Sequence, residues 1–194
     1  MNDKVRCPWA GDIPIYVDYH DNEWGRPVHD DRKLFEMLTL EGAQAGLSWI
    51  TILRKRENYR EAFDGFDPEK IALYDDKKIA SLLENPGIVR NRLKVNSVVI
   101  NAKLFLDIQK QYGSFDKFIW AYVDNKPVVG HWEGFHDMPL TTPISDKISK
   151  DLKKMGFKFV GTTIIYSFMQ ACGIVNDHFK SCFVYKELND SKRD

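Results

Sequence analysis

A chain of 194 residues, 43% of them apolar, can bury a substantial core as a single domain. Lys plus Arg and Asp plus Glu both number 28, so net charge gives no hint of an acidic partner, and only local clusters can speak for one. Three cysteines, Cys7, Cys172 and Cys182, cannot all pair within the chain, which fits ligands better than a disulfide framework.

The first residues, MNDKVRCPW, hold no apolar segment. No secretory leader is expected, and a reducing cytoplasm is the default compartment. Residues 7–29, CPWAGDIPIYVDYHDNEWGRPVH, mix prolines and glycines with large aromatic side chains and show no sustained helical period. They read as a structured loop region of the kind that carries binding residues. Asp30 or Asp31 then caps a helix through about Ala45, in which Leu34, Leu38 and Glu41 share one stripe. Burial there would raise the pKa of Glu41 unless partners hold its charge. The plainer reading of Glu41 is a carboxylate bonded to backbone amides of the following GAQAG turn.

Ser48 begins a second helix, SWITILRKRENYREAF, with Trp49, Ile52, Leu53 and Tyr59 inward and its Arg and Lys residues outward. Asp67 and Pro68 mark a third start, and short helices run through Ile71 and Leu82. Asn85, Pro86 and Gly87 turn the chain into a long helix expected over residues 88–112, stopped by Gly113. Ser114 opens another helix. Residues 124–143, rich in proline and glycine, read as a surface excursion, a lid or a connector. Ser145 caps a helix that Gly156 ends. From Phe159 to Asn176 no residue is charged. Two glycines and the polar Gln170 and Asn176 make this run too polar to span a membrane, so it reads as a buried central helix after a turn over residues 157–161. Residues after Tyr185 should fray. Strand signals are weak, and the expected fold is all-α.

Two ends of the central stretch carry chemistry. At its front, Gly156 and Gly161 flank Lys158 and open a helix whose first amides, Thr162 among them, can face an anion. Three basic groups add to that hint: Arg54, Lys55, Arg56 and Arg60; Arg90, Arg92 and Lys94; and Lys147, Lys150, Lys153, Lys154 and Lys158. Solvated helix faces are the better explanation of any one such run, and it is three runs together with the glycine hairpin that point to a phosphate backbone. At its back, His178 and Cys182 stand four residues apart, the spacing that puts two ligands on one helical face. With Cys7 and His20 they supply two thiolates and two imidazoles, a set zinc favours and one that would fill a tetrahedron in a structural role. Buried thiols and hydrogen-bonding histidines are the alternative.

The segments YHDNEWG (19–25), LFEMLTLEGAQAGLSWITIL (34–53), KKMGFKFVGTTIIYSFMQACGIVNDH (153–178) and HFKSC closely resemble the bacterial 3-methyladenine DNA glycosylase I family, over nearly the whole chain. The resemblance implies a helix-hairpin-helix glycosylase fold with a cleft between helical lobes, in one domain spanning 1–186 with a flexible tail at 187–194. It implies structural zinc on Cys7, His20, His178 and Cys182. It implies a base-recognising acid at Glu41, an aromatic pocket from Trp49, Tyr19, Trp24, Tyr16 and Trp9, and a DNA-gripping hairpin at Gly156, Lys158, Gly161 and Thr162. Alkylated double-stranded DNA would be the substrate and free 3-methyladenine the product, acted on by a monomer without a membrane. Where many helix-hairpin-helix glycosylases carry a catalytic aspartate, this chain has Asn176 followed by Asp177. Where bifunctional relatives carry a lysine it has Thr162 and Thr163, so hydrolysis without strand cleavage is expected. A zinc-stabilised DNA grip without chemistry and a hydrolase using open zinc are the competing classes.

Overall fold

The computed structural model describes residues 4–190, and the path of the chain follows from its punctuation. Proline at the first helical position starts α1 (Pro14–Asn22) after a 3-10 turn at Pro8–Ala10. The Asp30 carboxylate accepts from the amide of Lys33 to cap α2 (Asp31–Gln44), leaving Asp31 free to reach another element. Helix α3 (Trp49–Ala62) follows a short turn, α4 (Pro68–Ile71) is capped by Asp67 and α5 (Asp76–Glu84) by Asp75. The long α6 (Arg92–Tyr112) ends on Gly113, whose φ of 88° suits a residue without Cβ. Then come α7 (Phe115–Trp120), α8 (Pro143–Met155), α9 (Thr162–Ala171) and α10 (Phe183–Asp190).

Helix α2 is the one buried through ten consecutive residues, Leu34 to Ala43, and α3, α6, α7 and α9 pack around it. Phe35 meets the edge of Phe105 at 5.0 Å, and Phe105 stacks on Phe115 at 4.3 Å, so one aromatic column ties α2, α6 and α7 together. Truncating such a ring costs about 3–5 kcal/mol. Asp31 strengthens the same junction: its carboxylate accepts from the amides of Phe115 and Asp116 at 2.9 and 2.8 Å, at the positive end of α7.

Several expectations are corrected. The loop region at 7–29 contains α1, whose aromatic side chains hide its period. Helix α6 starts at Arg92, because Asn91 supplies the cap. Thr142 caps α8, and Ser145 is the third residue of a reciprocal capping box. Arg56 is buried at 6% exposure, against the expectation that the basic residues of α3 face outward. The excursion at 124–143 contributes Val128–Val129 (β1), paired in parallel with Val175–Asn176 (β2), so it is fastened to the core. Helix α9 is shorter than the uncharged run and keeps one face partly open. His178 and Cys182 lie in the turn before α10, not on a helix. Residues 187–190 continue α10, and Arg26 pairs with Glu187 at 3.0 Å, while the rest of the expected tail lies outside the described residues.

Candidate functional site

The pocket is built where α1, α2, α3 and α9 meet. Trp9, Tyr16, Tyr19, Trp24, Glu41, Gln44, Trp49, Ser167 and Gln170 line a recess of about 200 Å³ that opens to solvent, and Phe135 and Met138 of the excursion close one side. Helix α1 brings in Tyr16 and Tyr19, α2 ends with Glu41, and Trp49 opens α3 after a turn only four residues long. Trp9 touches Tyr16 at 5.3 Å and the edge of Trp24 at 4.9 Å, and Tyr19 leans on Trp49 at 5.3 Å. All six site residues singled out in the sequence therefore converge. Phe135, Met138, Gln44, Ser167 and Gln170 were missed. The carboxylate and the aromatic loop pointed to the first six, but nothing in the local pattern points an excursion residue at a pocket.

Glu41 is 5% exposed, and its carboxyl receives no hydrogen bond from the described residues, which removes the reading of a carboxylate held by turn amides. Burial alone pushes its pKa up to about 8. Burial, with the Glu41 charge second, also raises the pKa of the Tyr16 and Tyr19 phenols. The indole N–H of Trp49 is buried without a partner among the described residues. An unpaired acid and an orphaned donor on the wall of one recess are what a site leaves for a ligand to satisfy.

Beside the pocket, Cys7, His20, His178 and Cys182 are all buried, with their ligand atoms within 4.8 Å of one another. The ring nitrogens are sorted by their outer bonds. His20 directs Nδ1 to Asp21 at 2.8 Å and accepts the Cys7 amide on Nε2 at 3.3 Å, so Nε2 faces the cluster. His178 donates from Nε2 to the Trp24 carbonyl at 2.9 Å and turns Nδ1 to both sulfurs at 3.6 Å. His20 Nε2 lies 3.5 Å from Cys182 Sγ. Metal–sulfur and metal–nitrogen bonds of the lengths zinc adopts place tetrahedral S and N ligands about 3.5 Å apart, so the donor set fits such an ion. The two thiols share acidity unequally: the Cys7 pKa is raised by its bond to Cys182 and by burial, and that of Cys182 is lowered by the same bond and by the histidines.

The hairpin runs from Gly156, at φ 103°, to Gly161, the residue before α9. Asn101 brackets its middle, accepting the Lys158 amide at 2.8 Å and donating to the Lys158 carbonyl at 3.0 Å. The Ser149 hydroxyl donates to the Val160 carbonyl at 2.6 Å. Lys147, Lys150, Lys153 and Lys154 of α8 and Lys158 of the turn that follows are all exposed. Thr162 turns its hydroxyl to Ser145 and Asp146, so it is its backbone amide that remains for an anion. The other two basic groups are partly spent inside the protein. Arg56 binds Glu36 and Glu23, Arg60 binds Glu36 and Glu57, and Lys94 donates to the Ala43 and Ala45 carbonyls at 2.8 and 2.6 Å.

Asp177 is 2% exposed and accepts hydrogen bonds from Trp132, Tyr166 and Gln170, and the neighbouring Asn176 lies in β2 with its side-chain oxygen on the His178 amide. Among the described residues no helix is long and apolar enough to cross a membrane.

Comparison with known proteins gives one consistent result. The family model described as methyladenine glycosylase matches residues 9–185. The DNA-3-methyladenine glycosylase 1 of Escherichia coli K12 is 50% identical over 180 residues, covering 93% of this chain and 96% of that protein. A crystal structure of 3-methyladenine DNA glycosylase I superposes with a TM-score of 0.90 at 52% identity, covering 92% of this chain and 98% of the other. A variant of such an enzyme in complex with 3-methyladenine superposes with a TM-score of 0.89 at 42% identity, covering 92% and 96%.

Proposed function

The chain belongs to the methyladenine glycosylase family, and on that premise we propose that it excises 3-methyladenine from alkylated double-stranded DNA during base excision repair. The observation that carries the proposal is the unpaired, buried carboxyl of Glu41 on the wall of an aromatic recess. N3-methylation leaves adenine positively charged in the nucleotide, which makes it both a good leaving group and a cation. Aromatic faces attract such a cation by about 0.5–2 kcal/mol per favourable contact. The arriving charge also reverses the penalty that keeps Glu41 protonated, since an opposite charge favours the carboxylate. Glu41 then accepts from the exocyclic amine, a charge-assisted bond that a neutral base satisfies less well.

A base inside a duplex cannot reach this recess, so the nucleotide must leave the stack. The reading of α8, the 156–161 turn and α9 as a helix-hairpin-helix grip is supported by the unpaired first amides of α9 and the neighbouring lysines. Gly156, Lys158, Gly161 and the Thr162 amide would meet the phosphate backbone. Asp177 is buried and accepts from three protein donors, which favours a structural role over that of a base for water. A cationic leaving group lessens the need for one. Thr162 and Thr163 stand where a strand-cleaving enzyme needs an amine, which supports plain hydrolysis of the N-glycosidic bond by a cytoplasmic monomer.

Cys7, His20, His178 and Cys182 would hold a zinc ion with no coordination position left for water. Such an ion would supply no chemistry to the reaction; those four residues would fasten the N-terminal aromatic segment to the turn before α10, and that segment gives four of the eleven residues lining the recess.

Chromatography of bases released from methylated DNA by the purified protein tests the proposal. Release of free 3-methyladenine is expected, together with no covalent adduct when borohydride is added to the reaction. Binding to DNA with no base released would favour the competing reading of a grip without chemistry.

A further inference from the structure

Asp177 has no contact with the recess, yet it organises two parts of its wall. Its carboxylate accepts from the Trp132 indole N–H at 2.7 Å, the Gln170 amide at 2.9 Å and the Tyr166 hydroxyl. Burial and this carboxylate together raise the Tyr166 pKa, so the phenol keeps its proton and donates it. The Trp132 indole donates to one oxygen of Asp177 and the Tyr166 phenol to the other, and Gln170 turns its NH₂ to the oxygen that Tyr166 also binds. The Gln170 carbonyl oxygen is left without a partner among the described residues, on a side chain that lines the recess. An amide free to flip would offer a donor half the time; this one is fixed as an acceptor.

The same carboxylate clamps the excursion. Gly130 donates its amide to the Asn176 carbonyl at 2.9 Å, and a Cβ built on Gly130 would lie 2.2 Å from Trp132 Nε1 and 2.4 Å from Asp177 Oδ1. Only glycine leaves room for that bond. The segment held this way carries Phe135 and Met138 to the recess, and Met138 Sδ sits 3.5 Å from Gln170 Nε2.

We propose that Gln170 is a second base-recognising acceptor and that Asp177 is a positioning residue that sets the polarity of Gln170 and holds the 130–138 wall against the base. The inference rests on the glycosylase reading and extends it. With Glu41 and Gln170 both accepting, the recess favours a purine that presents hydrogen-bond donors and positive charge, and a base that presents a lone pair to Gln170 is turned away.

The test measures release of 3-methyladenine from methylated DNA, with binding of the free base followed by tryptophan fluorescence, for wild type, Gln170→Met, Asp177→Asn and the double variant. Gln170→Met should weaken both readouts about tenfold, the loss of one hydrogen bond to a polar or charged partner, with the melting temperature close to wild type. Asp177→Asn should give at least as large a loss, and the double variant should be no worse than Asp177→Asn, because that change already removes the contribution of Gln170. Wild-type release by Gln170→Met overturns the inference and leaves the glycosylase reading intact. Losses that add in the double variant overturn the positioning role of Asp177. Failure of the wild type itself to release 3-methyladenine overturns the underlying reading and this one with it. Should Asp177→Asn fail to fold, Gln170→Met alone still decides whether Gln170 recognises the base.

Discussion

His178 donates from Nε2 to the backbone carbonyl of Trp24 at 2.9 Å, and the two rings meet edge to face at 4.6 Å. One histidine thus faces the Cys/His cluster with Nδ1 and supports the aromatic recess through Trp24. Loss of the cluster should therefore reach the recess. Cys182→Ser is expected to abolish stoichiometric zinc, lower the melting temperature and weaken 3-methyladenine binding, as read by metal analysis, calorimetry and fluorescence. Unchanged zinc content would remove the assignment. Gly25 offers a finer probe: it has φ +76°, and a Cβ there would lie 2.8 Å from His178 Nε2, so Gly25→Ala should displace the ring and reproduce part of the loss.

Glu41 makes stability depend on pH with a definite sign. Its folded pKa is about 8 against an ordinary 4.5, so between those values the folded chain holds a proton that the unfolded chain has released. Its contribution to stability therefore falls as pH rises from about 4.5 to about 8 and is flat above. Glu41→Gln removes that dependence. The variant should gain on wild type across the window, on the order of a few kcal/mol by pH 8.5, while excision of 3-methyladenine drops. Urea denaturation of both proteins at pH 5 and 8.5 gives the difference; a constant offset would contradict the buried, unpaired acid.

Trp49 separates ring from polar edge. Trp49→Ala removes an aromatic face and should lower excision of the cationic base about tenfold or more. Trp49→Phe keeps a face but lacks the N–H that has no partner among the described residues, so its activity should fall between wild type and Trp49→Ala. Wild-type kinetics in both variants would dismiss Trp49 from recognition.

Arg56 joins three elements that surround the recess. Its Nε donates to Glu36 at 2.6 Å, and its two terminal nitrogens bind Glu23 at 2.9 and 2.8 Å. Removing this guanidinium leaves Glu36 with Arg60 and Lys33 and Glu23 with Lys33, so the cost is that of lost charge-assisted hydrogen bonds, about 1.5–3 kcal/mol. Arg56→Met should show a loss of this size in urea unfolding. Arg56→Lys should recover little of it, since an ammonium cannot reproduce the fork. Full recovery by lysine would mean that charge alone matters there.

Much of this was legible because caps and turn residues act locally. Asp30 before α2, Asp67–Pro68 before α4 and Gly113 after α6 mark their boundaries in the sequence itself. The pocket residues Glu41 and Trp49 were legible because a carboxylate on an apolar stripe is unusual. What stayed hidden was set by distant partners. Arg56 looks like a surface residue until Glu23 and Glu36 face it, and α1 looks like a loop because its aromatic residues serve the recess. The spacing of His178 and Cys182 suggested a helix, yet Phe179, the amide of which donates to Cys7 Sγ at 3.4 Å, shows that the turn is shaped around the cluster.

The central claim is that a buried acid in an aromatic recess selects a base by its positive charge. The most direct measurement follows the bases released over time from methylated duplex DNA by wild type and by Glu41→Gln. Rapid release of 3-methyladenine by wild type, with unmodified adenine left in place and a marked slowing in the variant, is the predicted result. Equal release of adenine, or equal rates from the two proteins, would contradict it.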